Sequence, residues 1–161
     1  MRRAIVVVLT TLLACSPVAA DWSITSYKDR LSDRDVKVAT LPAKERDHGV
    51  FARLVINCLE SPVVGGLVLS IETGSRFSRG RMGLSYRVDQ REVVPRLMPV
   101  NSNGNGMSSW AQPEELEGAK RIRVELSPAR SPTLFFDFDL TGVDKAMNAI
   151  PCVRTREKWT P

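Results

Sequence analysis

The chain holds a single histidine, His48, among 161 residues. A Ser-His-Asp or Cys-His nucleophilic site would have to use it. Its neighbours, Lys44-Glu45-Arg46-Asp47-His48-Gly49, instead describe a solvated loop. The G-x-S-x-G elbow of serine hydrolases is also missing. Cysteine is scarce, with three residues and no close pair, so the spacing excludes zinc-ligating and thiol-redox motifs. Aromatic residues make up 6% of the chain and do not interleave with the basic ones, which argues against single-stranded nucleic acid as a partner. No apolar run approaches the roughly twenty residues that a membrane-spanning helix needs. Internal repeats and long βαβ crossovers are absent, which disfavours parallel-sheet folds. Nothing calls for a cofactor or a metal ion.

What is present begins with an export signal. Arg2 and Arg3 form a positive start, Ala4 to Ala14 an apolar stretch, and Pro17 a helix stop before Val18-Ala19-Ala20. This order predicts cleavage after Ala20 and a periplasmic location. A second reading cuts before Cys15, because Leu12-Leu13-Ala14-Cys15 resembles a lipoprotein box; Cys15 would then tether the domain to a membrane. Removal of residues 1–20 takes two of the 23 basic residues and none of the 18 acidic ones, lowering the formal charge from +5 to +3. So mild an excess does not demand nucleic acid. The expected organisation is a signal over 1–20, one domain over 21–153 and a frayed tail over 154–161, which carries Trp159.

Cleavage after Ala20 removes Cys15 and leaves Cys58 and Cys152 as a pair in an oxidising compartment. A disulfide between them would close a loop of about ninety residues, worth roughly 4–5 kcal/mol by loop-closure entropy. Along the mature chain, short alternating segments are separated by turn signals. In the segment Val50 to Leu59, the residues Val50, Ala52, Leu54, Ile56 and Cys58 share one face, with Arg53 and Asn57 on the other. Leu67, Leu69 and Ile71 repeat the pattern, as do Met82, Leu84, Tyr86 and Val88. So do Ile122, Val124 and Leu126, and then Leu134, Phe136, Phe138 and Leu140. The stretch around Val93 to Met98 is broken by Pro95 and Pro99 and reads as an edge strand. Asn101 to Gly106 reads as a loop, and Pro113 to Leu116 as one helical turn. Val143, Ala146, Met147 and Ile150 sit at helical spacing behind Thr141, the expected N-cap. Together these predict an antiparallel β-sandwich of about seven to nine strands with a short C-terminal helix, a small β-barrel being the alternative.

Three groups of residues carry chemical interest. Asp137 and Asp139 project from one face of a strand, a pair suited to acid–base work or calcium, although a half-exposed strand shows the same alternation. Asp33 and Asp35 share that spacing. Arg76, Arg79 and Arg81 cluster around a glycine-bearing turn, with Arg87 farther along, and could hold an anion or merely solubilise an edge. Trp22 and Trp110 would either fill the core or anchor a partner. Arg76, Arg79, Arg81 and Trp110 make up the candidate interaction surface.

Tyr86-Arg87-Val88-Asp89 resembles the Y-R-x-D strand of small exported proteins related to the type VI secretion accessory proteins TagO and VasI. Phe138-Asp139-Leu140-Thr141-Gly142, followed by Ala146 and Cys152, is similar to that family's closing F-D-L-x-G…A…C segment. Trp22, Ser32-Asp33 and Leu54-Ile56-Cys58 stand in a compatible order, so the resemblance spans most of the mature chain. Those accessory proteins typically carry a further cysteine-bearing segment ahead of the Trp region, whereas the expected mature chain here starts at about Trp22. The resemblance implies a β domain with its disulfide, and it supplies no catalytic residues.

The expectation is therefore a non-enzymatic periplasmic binding or assembly module whose partner is a protein or an envelope component. It would be an accessory of a secretion or envelope system, with membrane association only if Cys15 is lipidated. A small envelope-acting hydrolase or metal-assisted enzyme is the alternative from another class.

Overall fold

The computed structural model describes residues 20–28, 33, 35–59, 66–77, 80–100, 104, 106–110, 113–129 and 131–152. The signal segment with Cys15, Arg79, and the tail with Trp159 lie outside the described residues. Among the described residues nine strands form: β1 (Ser23–Lys28), β2 (Asp35–Pro42), β3 (Ala52–Leu59), β4 (Gly66–Thr73), β5 (Arg81–Val88), β6 (Val94–Pro99), β7 (Gly106–Trp110), β8 (Arg121–Ser127) and β9 (Leu134–Asp139). The same residues include two short helices, α1 (Pro113–Leu116) between β7 and β8 and α2 (Val143–Asn148) after β9. The strands make two antiparallel sheets, ordered β1-β2-β3-β4-β7 and β6-β5-β8-β9. No ladder joins the sheets among the described residues, so the architecture is a sandwich and not the small barrel.

The core follows from period-2 alternation. Burial alternates without a break along β4 and β5. Leu54 and Ile56 of β3 and Leu69 and Ile71 of β4 pack in one cluster with Leu84, Val124, Phe136 and Phe138 of the other sheet. Burying a large aliphatic or aromatic side chain stabilises by about 1.5–3 kcal/mol, so these inner faces hold the sheets together. Cys58 lies at the margin of this core and is bonded to Cys152, with Cα atoms 5.3 Å apart.

The structure departs from sequence expectation in three places. First, β7 falls where a loop gave way to an unassigned stretch. Its Gly-Met-Ser-Ser-Trp sequence lacks β-branched residues, and its extended form comes from the ladder with β4. Second, Thr141 does not cap α2. Gly142 occupies that position with φ 86° and no side-chain cap bond, while Thr141 gives both its hydroxyl and its N–H to Asp139. Asp144 completes no capping box either, since its Oδ1 accepts the Gly118 N–H at 3.1 Å. Third, the alternation of Trp22, Ile24 and Ser26 with Ser23, Thr25 and Tyr27 yields no buried face: every residue of β1, at the edge of its sheet, is exposed, Ile24 and Tyr27 included. Trp22, just before β1, packs against the core without being fully buried, and its indole N–H has no partner among the described residues.

The Tyr86-Arg87-Val88-Asp89 segment is mostly scaffold. Tyr86 is buried and donates its hydroxyl to Glu115 Oε2 at 2.8 Å, tying α1 to β5. Burial, and then the Glu115 carboxylate, raise the phenol above its ordinary value, so it stays a donor at neutral pH. Asp89 has φ 51°, a region that Asp and Asn enter more readily than most residues. Its Oδ1 accepts the N–H groups of Lys120 at 3.0 Å and Arg121 at 2.9 Å, which sets the start of β8. Asp89→Ala is expected to cost about 2 kcal/mol, two charge-assisted bonds being lost at once. Asp89→Asn, which keeps one acceptor oxygen and tolerates the backbone, should cost less. Urea denaturation of both variants measures the difference; equal losses would contradict the role given to the carboxylate.

Candidate functional site

Between β2 and β3 the chain makes a hairpin in which Asp47 and Val50 exchange backbone hydrogen bonds of 3.2 and 2.8 Å. His48 and Gly49 at its tip have φ 47° and 76°, the positive values that a tight two-residue hairpin turn requires. The hairpin stalk is stitched to the open edge of β9. Lys44 N–H donates to the Asp137 carbonyl at 2.9 Å, and Asp47 Oδ2 accepts the Phe135 N–H at 2.7 Å. A free strand edge invites uncontrolled pairing, and these bonds occupy it. The His48 side chain is 62% exposed, with Nε2 3.9 Å from Asp47 Oδ1.

That stalk forms one wall of a cleft of about 590 Å³ on the outer face of the β6-β5-β8-β9 sheet. Strand register sets the floor. Arg87 of β5 lies directly opposite Arg123 of β8, and Arg123 directly opposite Asp137 of β9. The next row outward is Ser85, Glu125 and Phe135. Val93 stands on the β6 side and Phe135 on the β9 side, 57% and 61% exposed.

The carboxylates here are already engaged. Asp137 is gripped by Arg121, whose Nε lies 2.7 and 2.8 Å from the two carboxylate oxygens and whose Nη2 also donates. Asp139 accepts the Thr141 hydroxyl at 2.7 Å and the Thr141 N–H at 3.0 Å, with Lys44 Nζ 3.7 Å away. The two aspartates share a face but do not form a shared acid–base pair, because each is turned to its own cation or donor. Glu125 accepts the Ser127 hydroxyl at 3.1 Å. The guanidinium groups are less satisfied. Arg123 Nε makes an ion pair with Asp137 at 3.9 Å, beyond hydrogen-bond distance, and Arg87 has no ion pair among the described residues.

Asp139 has a titration signature. The Thr141 hydroxyl, then the Thr141 N–H, hold its carboxyl below the usual carboxylate range against a smaller opposing effect of burial, and Lys44 adds to the lowering. A carboxyl depressed in the folded state adds stability above its unfolded value, and that stability is lost as pH falls through the folded value. Thr141→Val is expected to move the Asp139 titration back upward, read by carboxyl-carbon NMR. An unmoved midpoint would contradict the assignment to Thr141.

Of the anticipated surface of Arg76, Arg79, Arg81 and Trp110, the backbone positions of Arg76, Arg81 and Trp110 are described. Trp110 pairs with Val68 near the start of β4, whereas Arg76 follows Thr73 at its end. Five residues of strand separate these points, about 17 Å at roughly 3.3 Å per residue. Arg81 is committed to the scaffold, its Nη2 donating to the Leu97 carbonyl at 2.9 Å. Arg76 is exposed. Asp33 is exposed and lies 3.8 Å from Lys28. Among the described residues no group of three or more His, Cys, Asp and Glu side chains could hold a metal ion.

The residues that sequence reasoning passed over are Arg123, Phe135 and Val93. The alternation Arg121-Ile122-Arg123-Val124-Glu125 puts the charged side chains on the outward face, but nothing local places Arg123 against Arg87. Comparison with protein families, curated proteins and solved structures finds no match to this chain.

Proposed function

We propose that this chain is a non-enzymatic binding or assembly module exported to the periplasm, an accessory of a secretion or envelope system, which engages its partner through the cleft over β5, β8 and β9. The observation that carries this reading is how the charged groups are divided. The carboxylates suited to acid–base chemistry are spent on scaffold bonds, while Arg87, Arg123 and two large apolar side chains face outward on a rigid sheet. A catalytic acid or base needs a free carboxyl or imidazole within reach of a bound substrate, whereas a docking surface needs unsatisfied donors beside apolar contact area. The disulfide supports an oxidising compartment, where a bridge between Cys58 and Cys152 persists. The resemblance to TagO and VasI supports the accessory role.

Two measurements test this. Non-reducing intact mass of the protein recovered from the host is expected to give a chain starting at Asp21 with its thiols bridged. A lipid adduct at Cys15 would instead make it a tethered lipoprotein. A photo-crosslinking residue placed at Phe135 in the living host is expected to capture a discrete protein adduct that the same residue at Lys37, on the other sheet, does not. Identical adduct patterns from both positions, or none, would overturn the binding-module reading.

A further inference from the structure

We infer that the cleft takes a single carboxylate side chain from an extended segment of a partner protein, held between Arg87 and Arg123 with apolar neighbours against Phe135 and Val93. This rests on the binding-module reading above and names the ligand chemistry of that site.

Charge is locally unbalanced in the cleft. Like charges directly opposite on neighbouring strands destabilise a sheet, and Arg87 and Arg123 are so placed. Asp137 is held in a bidentate grip by Arg121 and reaches Arg123 only as a 3.9 Å ion pair, beyond hydrogen-bond distance. Among the described residues the two adjacent guanidinium groups therefore have no hydrogen-bonded carboxylate. A carboxylate fits a guanidinium fork with two parallel charge-assisted hydrogen bonds.

The cleft suits a point charge and not a charged surface. Glu45 and Glu125 line the same cleft, and Glu125 sits in the row next to the arginines. A polyanion, whether nucleic acid or an anionic bilayer, would press its other charges against these carboxylates. One carboxylate flanked by uncharged groups meets no such repulsion.

The width of the sheet sets the occupant's length. Val93 and Phe135 lie at the β6 and β9 margins of the sheet, three strand spacings apart, or roughly 14 Å. An extended chain covers that span with about four residues at roughly 3.3 Å each. A small metabolite would reach one apolar flank only, whereas a peptide reaches both and places a central carboxylate over the arginines.

The test uses the mature disulfide-bonded protein and NMR of the arginine Nε–H groups and of the backbone amides of β5 and β8. The probes are the peptide acetyl-Leu-Ser-Glu-Ser-Leu-amide, whose leucines share the face of the glutamate and lie four residues apart, the same peptide with Gln for Glu, inorganic phosphate, and phosphatidylglycerol vesicles. The Glu peptide is expected to shift Arg87 and Arg123 in a saturable way, and the Gln peptide to bind at least about fivefold more weakly, as loss of a charge-assisted contact predicts. Arg87→Gln and Arg123→Gln should each weaken the Glu peptide by about tenfold, while Arg76→Gln leaves it unchanged. If either variant fails to fold, the Glu-to-Gln comparison on the unaltered protein decides. Equal binding of both peptides, no response at Arg87 and Arg123, or tighter binding of phosphate or vesicles at those residues would each overturn the proposal. A discrete Phe135 adduct alongside any of these results would leave the binding-module reading standing, whereas loss of the adduct alone overturns that reading instead.

Discussion

Removing the Cys58–Cys152 bridge, by replacing both cysteines with alanine, is expected to lower the thermal unfolding midpoint by roughly 15–20 °C. The bridge spans 94 positions of sequence. Loop-closure entropy for such a span is worth about 4.7 kcal/mol, a large share of the roughly 5–15 kcal/mol that holds a typical domain folded. The connection is also strategic. Cys58 sits in β3, which pairs with both β2 and β4, and Cys152 follows α2, whose Val143, Ala146 and Met147 are buried. One covalent bond therefore ties the five-stranded sheet to the helix that follows the last strand of the other sheet. Both cysteines are only partly buried, so reductant should reproduce the effect of the double substitution. Calorimetry with and without reductant measures it, and a fall of less than about 5 °C would mean that native contacts already confine the unfolded chain.

Phe138→Ala is expected to cost about 3–5 kcal/mol. Phe138 has no solvent exposure and lies directly across the ladder from Ile122, which has none either. Truncation leaves a cavity between two packed sheets whose backbones are held by ladder bonds, so collapse around the void is limited. Phe135→Ala, three residues earlier on the same strand, is the internal comparison. Its ring is 61% exposed, and its loss should change stability by no more than about 0.5 kcal/mol. Chemical denaturation separates the two, with an unchanged denaturant slope expected in both variants. A costly Phe135→Ala would mean that its ring supports the sheet, and would weaken its assignment to partner contact.

That two phenylalanines so close in sequence have opposite roles was legible from the chain alone. Leu134-Phe135-Phe136-Asp137-Phe138-Asp139-Leu140 puts Leu134, Phe136, Phe138 and Leu140 on one face, and the buried positions are those four. The same reasoning anticipated the inner faces of β3, β4, β5 and β8, because the side chain's direction along a strand is a local property. The edge character of β6 was legible too, since proline cannot complete a ladder. β7 was not, because small residues carry no alternation and only β4 supplies its hydrogen-bond partners. The Thr141 cap failed for a related reason: Asp139 competes for the same hydroxyl, a competition that spacing does not reveal.

By itself the sequence determined which residues face inward, how many strands the described residues make to within the expected range, and, on the expectation that residues 1–20 are cleaved, which two cysteines pair. These are short-range or counting properties. Tertiary structure alone decided that Arg87 stands against Arg123, that Asp137 belongs to Arg121 and not to Asp139, and that Asp47 reaches Phe135 across 88 positions of sequence. Those neighbours depend on strand register and on how the two sheets close over one another, and register is set by the packing of the whole core.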